Sequence, residues 1–189
     1  MDNIVEKVRR FVEEESKKPT NKYGYETYKN HFVIVVQLVK ILSEKLHADT
    51  EVAELAAWLH DIGSIMVGRE NHHTTGAEIA ERKLRELNYP EEKIEKVKKC
   101  ILNHRGSQQS VRDSIEEQII ADADAITAFD SISDLFGAAF VCETKDRDEA
   151  RKSVLNKLIN CWNKLSFQES KDLVKPKYEA AMLLLGETK

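Results

Sequence analysis

The sequence predicts an all-α protein, and three observations carry that expectation. Glycine (7) and proline (3) are scarce in 189 residues, leaving few of the turns that a β-sandwich or barrel needs. Apolar residues recur at helical spacing along the chain, beginning with Ile4, Val8, Phe11 and Val12. No segment reads convincingly as a strand, and there is no internal repeat or low-complexity tract. A hydrophobic share of 41% supports a core, and 33% charged residues supply a solvated surface.

The elements follow in order. A first helix is expected from about Asp2 to Lys18, broken by Pro19-Thr20-Asn21. A longer one runs from about Glu26 to Leu46, with His31, Val35, Leu38 and Leu42 along one face and His31 at the head of that stripe. His47 closes it without a partner pattern and is assigned only a helix-end role. Asp49-Thr50 is an N-cap signal for the next helix. That helix passes through Ala56, Ala57, Trp58 and Leu59 into His60-Asp61 and is expected to stop at Gly63. Counting back by fours from His60 gives Ala56 and Val52, which puts the histidine on the buried face.

Gly63 to Asn71 reads as a loop, and His72-His73-Thr74-Thr75-Gly76-Ala77 opens a helix towards Leu87. Pro90 stands near the first position of the following helix, which aligns Ile94, Val97 and Ile101 and ends in His104. Gly106 to Ser110 is a polar loop. From about Ser114 a helix carries Ile115, Ile119, Ile120, Ala123, Ile126 and Phe129, with Asp122 and Asp124 inside it. Further helices are expected near 133–142, 148–163 and 168–185, with Pro176 as a kink or a start.

Composition excludes several classes of function. A formal net charge of −4 gives no electrostatic case for nucleic acid as a partner. No apolar run approaches the roughly 18 to 20 residues of a membrane span, and the first residues do not resemble a signal peptide. Cys100, Cys142 and Cys161 lack metal-type spacing and read as free thiols in a reducing compartment, so a cytoplasmic protein is expected.

The chemistry is carried by histidines and acids that end apolar stripes on separate helices: His31, His60 with Asp61, His72 or His73, His104, and Asp122 or Asp124. Carboxylates on apolar faces are costly unless paired or bound to a cation. Mixed imidazole and carboxylate ligation suits Mn, Fe, Ni, Co or Zn. Such an ion would acidify water and neutralise charge on phosphoryl oxygens. Each residue also has an ordinary reading: His31 as a hydrogen-bonded core histidine, His104 as a helix-end group, His72 or His73 as surface histidines. Arg105 either clamps a substrate phosphate or is a solvated loop arginine.

The order His31, then His60-Asp61 after an Ala-rich helix, then Ala123-Asp124-Ala125-Ile126 resembles the HD-domain metal-dependent phosphohydrolase superfamily, over roughly residues 25 to 142. The resemblance implies an all-helical bundle with the metal site in its core. It implies His31, His60, Asp61 and Asp124 as ligands of a first ion, with Asp61 catalytic. Asp124 is preferred to Asp122 because a large apolar residue, Ile126, follows two positions on. His72 and His104 resemble the pair that holds a second ion in binuclear members, with Gly76-Ala77 four positions after His72. Helical spacing points instead to His73, and the choice stays open. The glycine-tyrosine-proline signature of cyclic-di-GMP-cleaving members is absent.

The implied activity is hydrolysis of a small phosphate ester or nucleotide with one or two divalent transition ions. Two rivals are a mixed-valent di-iron oxygenase of the same fold and a non-catalytic, metal-stabilised nucleotide sensor. The expected organisation is an N-terminal helix over 1–24 packing on the core, an HD-like metal-binding domain over 25–142, and C-terminal helices over 143–189 completing the same domain. Those last helices either pack on the core or form a homodimer surface.

Overall fold

The computed structural model describes residues 3–105 and 111–186. Asp2 and the loop expected over 106–110 lie outside the described residues. The protein is all-α, as expected, with no strand among the described residues. The backbone forms two compact units, Met1–Ala123 and Asp124–Lys189.

In the first unit, α1 (Ile4–Ser16) begins on Asn3, whose side chain accepts from the Glu6 N–H. Val8 and Val12 are its fully buried stripe. A π-helical segment, Tyr28–Phe32, then leads directly into α2 (Val33–Leu46). A π-turn inserts one residue into the helical register, and such turns concentrate at functional sites. His47 adopts a left-handed backbone and closes α2 through a bond to the Ser43 carbonyl. Asp49 caps α3 (Thr50–Leu59) by accepting from the Val52 N–H at 3.2 Å.

The structure corrects the expectation at Gly63. Instead of ending a helix there, α3 stops at Leu59, and Gly63 lies within a short second helix, α4 (Ile62–Met66). The glycine is needed for close approach. A Cβ at Gly63 would lie 2.6 Å from Thr75 Oγ1 and 2.7 Å from the Gly76 amide nitrogen, and closer still to the His72 carbonyl oxygen. α4 therefore seats directly on the first turn of α5 (His72–Glu86). The segment expected as a loop from Gly63 to Asn71 is thus half helical.

α6 (Glu91–Asn103) follows Pro90, and α7 (Ile115–Thr127) ends before Phe129, which the helical pattern had included. Within this unit α5 packs on α6 and α4, and α3 packs on α1, α2 and α6. An aromatic ladder ties the π-turn to α3: Tyr25 stacks on Tyr28 at 5.6 Å, and Tyr28 on Trp58 at 5.7 Å. Such pairs contribute ~0.5–1.5 kcal/mol each beyond the area they bury. The ladder lies three residues before His31 and two before His60, and so ties together the segments that carry them.

The second unit holds the last residues of α7, then α8 (Ile132–Gly137), a π-helical turn at Ala138–Cys142, α9 (Arg147–Asn163) and α10 (Gln168–Leu185). α9 starts with a capping box formed by Asp146 and Glu149. Pro176 lies inside α10 and does not start it. Trp162 stacks on Tyr178 at 4.2 Å, joining α9 to α10.

Candidate metal centre

Four imidazoles surround one carboxylate in the first unit. His60 follows the last residue of α3 and is fully buried. Asp61 is the next residue, where the chain turns into α4. His31 comes from the π-turn, His72 from the first position of α5, and His104 from the end of α6. Each therefore sits where a helix begins, ends or changes register, which lets separate helices aim side chains at one point.

The two oxygens of Asp61 face different pairs. Oδ2 lies 3.7 Å from His31 Nε2 and 3.8 Å from His60 Nε2. Oδ1 lies 3.3 Å from His72 Nε2 and 3.9 Å from His104 Nε2. His31 Nε2 and His60 Nε2 approach to 3.0 Å, and the His72 and His104 rings meet edge-on with centroids 5.4 Å apart. Ser64, one turn after Asp61, donates to Oδ1 at 3.3 Å. The spacing of three residues on a helix was the signal that could have marked this serine.

Three of the rings are held by the same device. His60 Nδ1 donates to the Ala57 carbonyl at 2.8 Å, His72 Nδ1 to the Arg69 carbonyl at 2.9 Å, and His104 Nδ1 to the Ile101 carbonyl at 2.5 Å. A carbonyl only accepts, so each of these rings, when neutral, carries its proton on Nδ1 and turns its Nε2 lone pair towards Asp61. That tautomer is the one a metal ligand needs.

The electrostatics fit the geometry. Burial pushes the Asp61 carboxyl up, but the His60, His104, His31 and His72 imidazoles outweigh it and hold the group down at about 2. The carboxylate stays ionised among basic nitrogens. Nitrogens with inward lone pairs around an ionised carboxylate match the donor chemistry of a divalent transition ion, and Asp61 Oδ1, His72 and His104 present one ligand atom each within 4.8 Å of one another.

His73 does not share this contact set. It is buried beside His72, their centroids 5.8 Å apart, and its Nδ1 has no hydrogen-bond partner among the described residues. Burial, with His72, Arg105 and His104 nearby, keeps its pKa below the usual imidazole value. Arg105 is half-buried directly after His104. Asp122 is buried in α7, and Asp124, half-buried on the same helix, is the first residue of the second unit.

Comparison with known proteins follows the same direction. A family model described as HD domain matches residues 28–128, more than half of the chain. Among solved structures, the Lin1889 protein from Listeria innocua superposes with a TM-score of 0.75 at 18% identity, covering 96% of this chain and 91% of that one. An HD-superfamily hydrolase from Bacillus thuringiensis gives 0.74 at 21% identity, covering 96% and 92%. Bacillus subtilis YpgQ in complex with ADP gives 0.70 at 22% identity, covering 95% and 92%. These likenesses establish the fold. No curated protein matches the chain.

Proposed function

The chain belongs to the HD-domain family, and from that premise we propose that it is a metal-dependent phosphohydrolase acting on a small phosphate ester or nucleotide. The observation that carries this reading is the division of the Asp61 carboxylate between two imidazole pairs, His31 with His60 at Oδ2 and His72 with His104 at Oδ1. A carboxylate shared in this way suits a bridge between two ions. His31 and His60, with Asp124 by the family order of residues, would hold the first. His72 and His104 would hold the second.

Divalent transition ions bound there would acidify a water and neutralise phosphoryl oxygens. The rest of the work belongs to the chain. Asp61 fixes the separation of the two sites, Ser64 orients its Oδ1, and the Ala57, Arg69 and Ile101 carbonyls keep the Nε2 lone pairs inward. Arg105 offers a planar fork for a phosphate group of the substrate. A nucleotide as substrate class is supported by the ADP held by YpgQ, a protein of the same fold.

The test is total metal content of the wild type beside Asp61→Ala, followed by phosphate release across nucleotides and phosphate esters with Mn present. About one or two ions per chain, lost in the variant together with phosphate release, is the expected result. Metal retained by Asp61→Ala would overturn the site. Metal in the wild type without phosphate release from any compound would shift the reading to the di-iron oxygenase or the sensor.

A further inference from the structure

Glu117 is a buried carboxylate, 2% exposed, that the centre described above leaves without a role. It lies in the first turn of α7, and its N–H donates to Ser114 Oγ at 3.2 Å. That is one half of a Ser-x-x-Glu capping box, whose glutamate ordinarily reaches back to the cap residue's own amide. Glu117 turns inward and accepts from Asn103 Nδ2 at 2.6 Å.

Asn103 is the last residue of α6, and its carbonyl accepts from Arg112 Nε at 2.9 Å. The residue immediately before His104 is therefore gripped at both its side chain and its backbone, from the segment that enters α7. An apolar side chain would fill the volume of Glu117 without the cost of burying a charge. What it would not supply is an acceptor that fixes the Asn103 amide. The neighbour so fixed is His104, whose Nε2 faces Asp61 Oδ1 at 3.9 Å.

We propose that Glu117 is a positioning residue which, through Asn103, sets the final turn of α6 so that His104 presents Nε2 to the metal centre. This rests on the reading of His104 as a ligand of the second ion. The role belongs to the hydrogen bond, so a neutral side chain of the same shape should serve.

The experiment is calorimetric titration of Mn into the metal-free full chain, with thermal melts of the same samples to establish folding. The wild type should take up two ions. Glu117→Ala and Asn103→Ala should each weaken one of them by about 10–100-fold, the range for partners that orient a ligand, and leave the other unchanged, as His104→Ala does more severely. Glu117→Gln should bind within about threefold of wild type, because its amide oxygen still accepts from Asn103. Should Glu117→Ala fail to fold, Asn103→Ala carries the comparison.

Wild-type affinity for both ions in Glu117→Ala or Asn103→Ala overturns the inference and leaves the metal centre standing. Glu117→Gln behaving like Glu117→Ala also overturns it, since charge and not the hydrogen bond would then matter. A wild type that takes up a single Mn overturns this inference alone, and one that takes up none overturns the proposed function with it.

Discussion

Replacing Gly63 by alanine tests how tightly the turn bearing Asp61 is locked to the helix bearing His72. The added methyl would meet the Gly76 amide nitrogen at 2.7 Å, where ordinary contact begins at 3.4 Å, a deficit of about 0.7 Å. The His72 carbonyl is nearer still, and both are backbone atoms of the first turn of α5, which cannot rotate away. Overpacking costs typically ~1–3 kcal/mol, and a clash with backbone belongs at the upper end, about 3 kcal/mol.

For a chain of this size each kcal/mol lowers Tm by roughly 2–4 °C, so Gly63→Ala should melt roughly 6–12 °C below wild type. Parting α4 from α5 by that distance also loosens the 3.3 Å approach of His72 Nε2 to Asp61 Oδ1. Mn affinity should therefore fall with the melting temperature. Thr75→Ala in the same chain relieves only the side-chain contact and leaves the two backbone contacts, so it should restore little. Calorimetric melts with and without Mn measure both effects. A Gly63→Ala protein that melts within 2 °C of wild type (well inside the roughly 6–12 °C expected) and binds Mn equally would refute the close packing of these two helices.

Further outcomes follow from the same centre. Asp61, held down at about 2 in the folded chain, contributes stability that is complete above roughly pH 4 and lost as pH falls through 2. Asp61→Asn should flatten the urea-denaturation profile of the metal-free protein across that window, and an unaltered slope would contradict the hold of the four imidazoles on the carboxyl. His73, whose buried ring favours the neutral form, contributes stability that is complete above the ordinary imidazole value of about 6.5 and declines as pH falls below it. His73→Gln should remove part of the decline between roughly pH 7 and 5 in chemical denaturation; an identical decline would rule that contribution out. Asp124→Ala should lose one ion by elemental analysis while Asp122→Asn keeps both, and the reverse pattern would transfer the ligand role to Asp122.

The helices were legible because each carries a one-sided apolar stripe, and the buried residues of α6, Ile94, Val97 and Ile101, follow the period read from the chain. The π-turn beneath His31 was not legible. Its extra residue coincides with contacts that helical periodicity does not register, the stacking of Tyr28 between Tyr25 and Trp58 and the bond from Arg9 to the Tyr28 hydroxyl at 2.9 Å. Gly63 misled for a related reason. A glycine after a helix ordinarily marks a left-handed cap, and only the packing partner, α5, shows that this one is needed for space. Ser114-x-x-Glu117 is a local cap signature, but local spacing does not reveal that the glutamate turns away to Asn103.

Helix ends carry these histidines for a physical reason. The final carbonyls of a helix have no partner within it and must find a donor elsewhere. His60 and His104, each immediately after a helix, give their Nδ1–H to the carbonyl three residues back, at Ala57 and Ile101. One hydrogen bond thus satisfies an orphan carbonyl, fixes a ring and selects the tautomer with Nε2 inward. His72 obtains the same result from the Arg69 carbonyl in the turn ahead of α5. The carboxyl ends of α3 and α6 also bring the negative pole of each helix towards the place where a cation would sit. A histidine that closes an apolar stripe is therefore a more telling signal than one in mid-helix, because at the closing position stability of the helix end and readiness to bind a metal are met by the same bond.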